Sequence, residues 1–352
     1  MRAFTYVASP ARVVFGPDAV QRLPDELEKL PATRALVIST PGQQALAESV
    51  AGRLGSRACG VLATARMHVP VATAKAAREA VTAHDADALV PVGGGSTIGL
   101  AKAVALTTGL PILAVPTTYS GSEMTTIYGL TDRDGKTTGR DARVLPRVVI
   151  YDPLLTLDLP VRVSAVSALN AIAHAVEGLY AKDGNPVVDL LAEEAIGTLA
   201  GALRRIVRAP RDVDARGDAL YGAWLCGLVL GSVGMALHHK LCHVLGGTWD
   251  LPHAETHAVV LPQVAAFNAV AVPDAMARVA RALGRPTAAG GLYDLVAELD
   301  IPTSLAAIGM PEGGLDRAAA LATANPYWNP RSVDVDSVRA LLGDAWSGRR
   351  PD

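Results

Sequence analysis

Residues 88–102 read ALVPVGGGSTIGLAK, and the fold follows from how that stretch is parsed. Ala88 to Val92 is a short apolar run bounded by glycine, which predicts a buried strand. Gly93-Gly94-Gly95-Ser96-Thr97 then makes a turn, and a helix is expected from about Ile98. Such a turn lets backbone amides approach a pyrophosphate with no Cβ in the way, and the helix amino terminus adds a partial positive charge. The motif departs from the GxGxxG fingerprint, so alone it reads equally as a tight strand-to-helix turn.

Working outward, Ala35 to Ser39, Ile112 to Val115 and Val148 to Tyr151 repeat the short apolar run, with helical patterns such as Val71 to Ala83 between them. Alternation of this kind predicts an α/β fold whose N-terminal part is a Rossmann-like parallel-sheet domain. The run at 112–115 leads into Pro116-Thr117-Thr118-Tyr119-Ser120-Gly121-Ser122-Glu123, a hydroxyl-rich loop at the carboxyl edge of the sheet, where such folds bind ligands. Two polar loops on one edge favour a nucleotide, with Gly93, Gly94, Gly95, Ser96, Thr117, Thr118, Ser120 and Ser122 as its candidate contacts. From about Pro160 the pattern changes to Ala-rich and Leu-rich helices broken at Gly184, Pro210, Pro252, Pro273 and Pro302. DPLLTLDLP at 152–160 marks the change, so residues 1–157 are expected as the dinucleotide-binding domain and 158–352 as an all-helical substrate domain, with a cleft between them as the natural site.

The composition allows this. With 352 residues, half of them hydrophobic, the chain is long enough for two domains. Lys plus Arg (32) nearly balances Asp plus Glu (34), and there is no basic run or zinc-knuckle spacing, which excludes the footprint of a nucleic-acid binder. Cys59, Cys226 and Cys242 are odd in number and lack CxxC spacing, fitting a reducing compartment, and no apolar signal precedes Pro10, so the cytoplasm is expected. Ala219 to Leu237 runs without a charge and is long enough to span a bilayer. Its four glycines, Gly222, Gly227, Gly231 and Gly234, and its abrupt end in His238-His239-Lys240 instead predict a close-packed buried helix and no membrane association.

Six of the eight histidines (His174, His238, His239, His243, His253 and His257) fall in the first half of the helical part. Asn170 and His174 are four apart on one predicted helix, and His239 and His243 are four apart at the end of the long apolar one, so each pair shares a face. A single such histidine reads as a hydrogen-bonded core residue; His174, His239, His243 and His253 together point to a site. A divalent metal there would want a carboxylate beside its imidazoles, and the available position holds Asn170, a poor ligand.

From end to end the chain resembles the group III, iron-containing alcohol dehydrogenases, through FGPDAVQRLP, GGGSTIGLAK, PTTYSGSEMT, DPLLTLDLP and HHKLCHVLGGTWDLPHAETHAVVLP in that order. The resemblance implies the two-part architecture shared with dehydroquinate synthases. In metal-dependent members an Asp and three His hold iron or zinc, and the corresponding positions are Asn170, His174, His239 and His253, with His243 an additional active-site histidine. The departure at Asn170, with SALNAIAHAVEGLYA, HHKLCHVLGG and NPYWNPR, is similar to the maleylacetate reductase branch, which reduces the carbon–carbon double bond of 2-maleylacetate to give 3-oxoadipate in aromatic-compound degradation. Where NAD-preferring relatives carry an Asp after the first strand, this chain has Ile38-Ser39-Thr40, so NADH and NADPH are both expected to serve, with Thr40 at the cofactor.

On this reading hydride adds to the conjugated double bond and leaves an enolate that needs stabilising. His243, His253 and Lys240 are expected to supply donors and positive charge in place of a metal, with His174 and His239 beside them and no metal required. Asn170, Tyr119, Tyr327 and Arg331 are candidate contacts of the dicarboxylate substrate. Lys240 equally reads as snorkelling to solvent. A metal-dependent alcohol or glycerol dehydrogenase is the nearest alternative, and a catalytically silent nucleotide-binding or scaffold protein is the alternative of another class. A strand near Thr5 to Val14 with an exposed edge suggests a homodimer.

Overall fold

A computed structural model describes residues 4, 6–8, 11–132 and 135–352. Every residue of the runs ALVI, ALVPVG, LAVP and VVIY is buried, which is what continuous apolar sequence achieves in a parallel sheet covered on both faces. Six parallel strands form the sheet: β1 (Arg12–Phe15), β2 (Ala35–Ile38), β3 (Ala58–Leu62), β4 (Ala88–Gly93), β5 (Leu113–Pro116) and, after β6 (Ile127–Asp132) and β7 (Gly135–Arg140), β8 (Val148–Tyr151). Their order is β1-β8-β5-β4-β2-β3, and β6 and β7 make a separate antiparallel hairpin.

β2, β4, β5 and β8 stand within a residue of their sequence-predicted positions, and the helix Val71–Ala83 matches its prediction at both ends. β3 and the hairpin have no buried run to announce them: β3 is half-buried throughout, and so is most of β6. Of the strand expected near Thr5 to Val14, Arg12 to Val14 lie in β1, while Thr5, Ser9 and Pro10 fall outside the described residues. The helix expected from Ile98 starts at Gly95. The N–H groups of Thr97 and Ile98 both turn back on the Gly94 carbonyl (3.0 and 3.1 Å), so Gly95, Ser96 and Thr97 are its first turn.

Register brings the two polar loops together. Gly93 pairs with Pro116 at the carboxyl ends of β4 and β5, and the Thr117 N–H donates to the Gly93 carbonyl at 3.1 Å. The direction of the connections reverses between β2 and β4, so the segment after β2, Ser39 to Gln43, flanks the glycine turn on its other side at the topological switch point.

From Val161 onward the described residues are helices and their connections, with Gly184, Pro210 and Pro302 between helices, Pro252 capping His253–Ala269 and Pro273 in the first turn of Pro273–Leu283. By packing, Pro160–Pro210 and Tyr221–Asp352 belong to one compact unit, and Ala8–Leu159 with Arg211–Leu220 to another. The apolar stretch at 219–237 is two helices rather than one. Val213–Ser232 ends, and Leu237–Trp249 begins at an angle of 97° to it, so the histidine pair His239 and His243 opens a helix instead of closing one. The break has partners for its freed amides: Asp183 accepts from Gly234 N–H (3.0 Å), and Glu177 accepts from Ala236 and His238 N–H (2.9 and 2.8 Å). Among the described residues no single helix is long and apolar enough to cross a membrane.

Asp152, at the end of β8, is buried and caps two 3₁₀ turns at once. Its carboxylate accepts from Leu154 N–H (3.0 Å) in its own turn and from Asp18 and Val20 N–H (both 3.2 Å) in the turn after β1. Asp152→Ala leaves three donors without their acceptor and is expected to lower stability by about 2–3 kcal/mol, with Asp152→Asn losing roughly half as much. Urea denaturation of the two variants beside the parent measures this.

Candidate active site

At the carboxyl edge of the sheet, space rather than charge defines the cradle. Gly93 has φ +152°, and a Cβ there would meet Thr97 Oγ1 at 2.5 Å and Gln43 Oε1 at 2.8 Å. At Gly94 a Cβ would meet Thr118 Oγ1 at 2.8 Å. Glycine is therefore required at both positions for the turn and the hydroxyl loop to lie this close. Thr97 Oγ1, Ser120 Oγ and Ser39 Oγ are buried without a hydrogen-bond partner in the protein, so they are open to a polar group at this edge. Thr117 Oγ1 accepts from Gln43 Nε2 at 2.8 Å, which makes Gln43 a member of this edge that sequence reasoning missed. Ser96 and Thr40 are half-buried, and Thr40 precedes the short Pro41–Gln43 turn without capping it. Ser122 enters through its backbone, whose carbonyl accepts from Lys102 Nζ at 2.6 Å.

In the helical unit the four predicted histidines share one run of ring contacts. His174 and His239 stack with centroids 4.9 Å apart, His239 lies 6.4 Å from His243, and His243 lies 6.5 Å from His253 with nearly parallel planes. His257, fully buried, sits edge-on to His239 (5.0 Å), His253 (4.6 Å) and His238 (4.8 Å). Glu177 fixes one member of this set. Its buried carboxylate accepts from His239 Nδ1 at 2.7 Å while capping the helix that carries the ring. With the carboxylate as acceptor, His239 donates from Nδ1, and its Nε2 has no protein partner. The signal for Glu177 was in the sequence: it follows Asn170 by seven residues and His174 by three on the helix Val161–Gly178, the same face.

Asn170 Oδ1 and His174 Nδ1 are also buried without partners. Lys240 and Tyr327 come together, Nζ lying 6.0 Å from the ring centroid, and the Tyr327 hydroxyl is buried without a partner, its pKa pushed up to about 12 by burial and then by the field of Glu177. Tyr119 is different: it is fully buried, and its hydroxyl oxygen accepts from Arg216 Nη1 at 3.1 Å. Arg331 is fastened to the end of His253–Ala269, donating to the Phe267 carbonyl at 2.8 Å and stacking on the Phe267 ring at 4.1 Å. It borders a cavity of about 290 Å³ with Phe267, Ser337 and Arg349, and its guanidinium is engaged by Phe267.

Two family models match the chain, "Iron-containing alcohol dehydrogenase" over residues 10–153 and "Fe-containing alcohol dehydrogenase family, C-terminal" over residues 164–346. The chain belongs to the iron-containing alcohol dehydrogenase family. Within it, the chain is similar to the maleylacetate reductase of Burkholderia cepacia, 57% identical over 351 residues and covering 100% of both proteins. The crystal structure of maleylacetate reductase from Agrobacterium tumefaciens superposes with a TM-score of 0.97 at 51% identity over 100% of both chains. A more distant member of the same fold, sulfoacetaldehyde reductase from Bifidobacterium kashiwanohense in complex with NAD+, has a TM-score of 0.91 at 23% identity over 99% of this chain and 100% of its own.

Iron-containing alcohol dehydrogenases raise the question of a metal, and here the donor set lacks the carboxylate that usually accompanies the imidazoles. The four corresponding positions offer three imidazoles and the neutral amide of Asn170, and both oxygens of the neighbouring Glu177 carboxylate are already engaged. Among the described residues, the histidine, cysteine and carboxylate atoms that do gather within 4.8 Å are those of His238, Cys242 and His257. There His238 Nε2 already bonds His257 Nδ1 at 2.9 Å, and the outward nitrogens, His238 Nδ1 and His257 Nε2, lack the acceptors that orient metal-binding imidazoles.

Burial, reinforced by neighbouring imidazoles, holds His174, His238 and His257 well below the usual histidine value of 6.5. These rings stay neutral in the folded protein while the unfolded chain takes up protons below about pH 6.5, so stability is full above that value and is lost as pH falls through it. The thermal midpoint is expected to drop by several degrees between pH 7.5 and pH 5.5, more than in a His257→Gln variant; scanning calorimetry across that range measures it.

Proposed function

We propose that the protein is a maleylacetate reductase, transferring hydride from NADH or NADPH to the carbon–carbon double bond of 2-maleylacetate to give 3-oxoadipate. The observation that carries this reading is a run of imidazoles with the neutral amide of Asn170 one helical turn before His174, Lys240 on the same helix as His239 and His243, and no carboxylate among the four corresponding positions. Neutral and cationic donors receive a dianion without the repulsion a carboxylate would add. Similarity to named maleylacetate reductases over the whole chain supports it.

The sheet unit binds the dinucleotide at Gly93, Gly94, Gly95 and Ser96, with Thr117, Thr118, Ser120 and Ser122 beside them and Thr40 leaving room for a 2′-phosphate. Hydride adds to the alkene carbon farther from the ketone, the electron pair moves to the ketone oxygen as an enolate, and a proton then goes to the other alkene carbon. The donors that stabilise the enolate and carboxylates are His243, His253, Lys240 and the protonated Tyr327 hydroxyl. His174 packs His239 in place, and Asn170 contributes its amide. The arrested contacts of Tyr119 and Arg331 make them supports of their segments in this scheme rather than substrate donors. No metal enters the reaction. Residues 1–157 and 158–352 are taken as the two functional domains, and the exposed apolar side chain of Phe15 at the end of β1, an edge strand of the sheet, supports a homodimer. A cytoplasmic location fits the three free thiols.

The test is NADH oxidation with freshly prepared maleylacetate after exhaustive chelation, and again after iron or zinc is restored. Full rate without metal is expected; activity only with metal, or only on simple alcohols, would return the protein to the metal-dependent branch. Lys240→Ala is expected to raise KM for maleylacetate at least tenfold, about the worth of one charge-assisted hydrogen bond, while KM for NADH changes less than twofold. Asn170→Asp is expected to acquire about one zinc per chain by equilibrium dialysis and to lose reductase activity as it fills.

A further inference from the structure

Lys102 lies about two turns into the helix that the glycine turn opens, and its side chain is fully buried. Its Nζ donates to four oxygens of one short segment: the Ser122 carbonyl (2.6 Å), the Thr125 carbonyl (2.7 Å), Thr125 Oγ1 (2.9 Å) and the Ile127 carbonyl (2.9 Å). Among the described residues no carboxylate forms an ion pair with it. The nearby Glu123 is fully buried too, but its Oε1 accepts from the Tyr151 hydroxyl at 2.8 Å and its Oε2 has no hydrogen-bond partner. Burial pulls the lysine down to about 7 against the opposing field of Glu123, and the same burial raises Glu123. An ammonium's three N–H bonds are shared among these four oxygens, three of them carbonyls, and a neutral amine, with only two N–H bonds, would serve fewer of them.

An ammonium is an expensive group to bury for packing alone. What it joins gives the reason. One end of its reach is the helix whose first turn is the proposed phosphate site; the other is the segment that ends the hydroxyl loop and starts the hairpin. We propose that Lys102 is a positioning residue for the cofactor: its ammonium staples Ser122–Ile127 to the phosphate-binding helix and so holds the hydroxyl loop against the glycine turn in the dinucleotide-ready arrangement. The inference rests on the reading of this edge as the dinucleotide site.

The test uses Lys102→Met, which keeps the length and apolar stem, with Thr125→Ala as a milder variant that keeps the ammonium and removes one acceptor. Gly94→Val serves as the control for the cofactor site itself. NADH affinity is measured by fluorescence titration and steady-state kinetics, beside the thermal midpoint. Lys102→Met is expected to raise Kd and KM for NADH about tenfold, with kcat at saturating NADH and KM for maleylacetate within twofold of the parent; Thr125→Ala should move the same constants about threefold. If Lys102→Met does not fold, the Thr125→Ala result decides. Loss of stability or of active fraction with NADH affinity unchanged would overturn the proposal and leave Lys102 a structural residue. Unchanged NADH affinity in Gly94→Val would instead remove the cofactor site from this edge.

Discussion

One carboxylate organises the helical unit. Glu177, on the helix Val161–Gly178, satisfies the first amides of Leu237–Trp249 and orients His239 with the same two oxygens. The bend, the start of the next helix and the tautomer of a site histidine are thus one interaction. A buried anion is tolerated here because every partner is a donor and one end of a helix dipole faces it. The imidazoles that follow, His243 on the same helix and His253 and His257 on the next, take their places from that start.

The parts of the fold that sequence made legible are those decided locally. β2, β4, β5 and β8 are continuous buried runs, and no other local structure accommodates four to six consecutive apolar residues between turn signals so readily. The proline and glycine breaks in the helical half read correctly for the same reason. What escaped was decided at a distance. The acceptors that end the apolar helix, Asp183 and Glu177, lie 51 and 59 residues before the amides they satisfy. Gln43 reaches Thr117 across 74 residues, and only the strand order, which no local pattern records, shows that the two segments are neighbours.

The candidate site was legible as a grouping of residue types more than as a set of roles. Spacing grouped His174, His239, His243 and His253, and ring contacts do join them. It did not separate Tyr119 and Arg331, whose polar ends are engaged with Arg216 and the Phe267 carbonyl, from Lys240 and Tyr327, which meet each other. Those two assignments depend on rotamers and packing. Lys102 illustrates the converse: a lysine in an apolar helix ordinarily sends its head to solvent, and only the loop folded over it makes burial the better state.

The bend between Val213–Ser232 and Leu237–Trp249 also bears on biosynthesis. A chain is made from its amino terminus, so both carboxylates that receive the amides of the break have already left the ribosome when the uncharged stretch follows them. Closing a loop of that length costs only about 3–4 kcal/mol of chain entropy. The most membrane-like segment of the protein is therefore supplied with its interruption before it is complete, and the nascent chain has a route to two short buried helices that a straight apolar rod would lack.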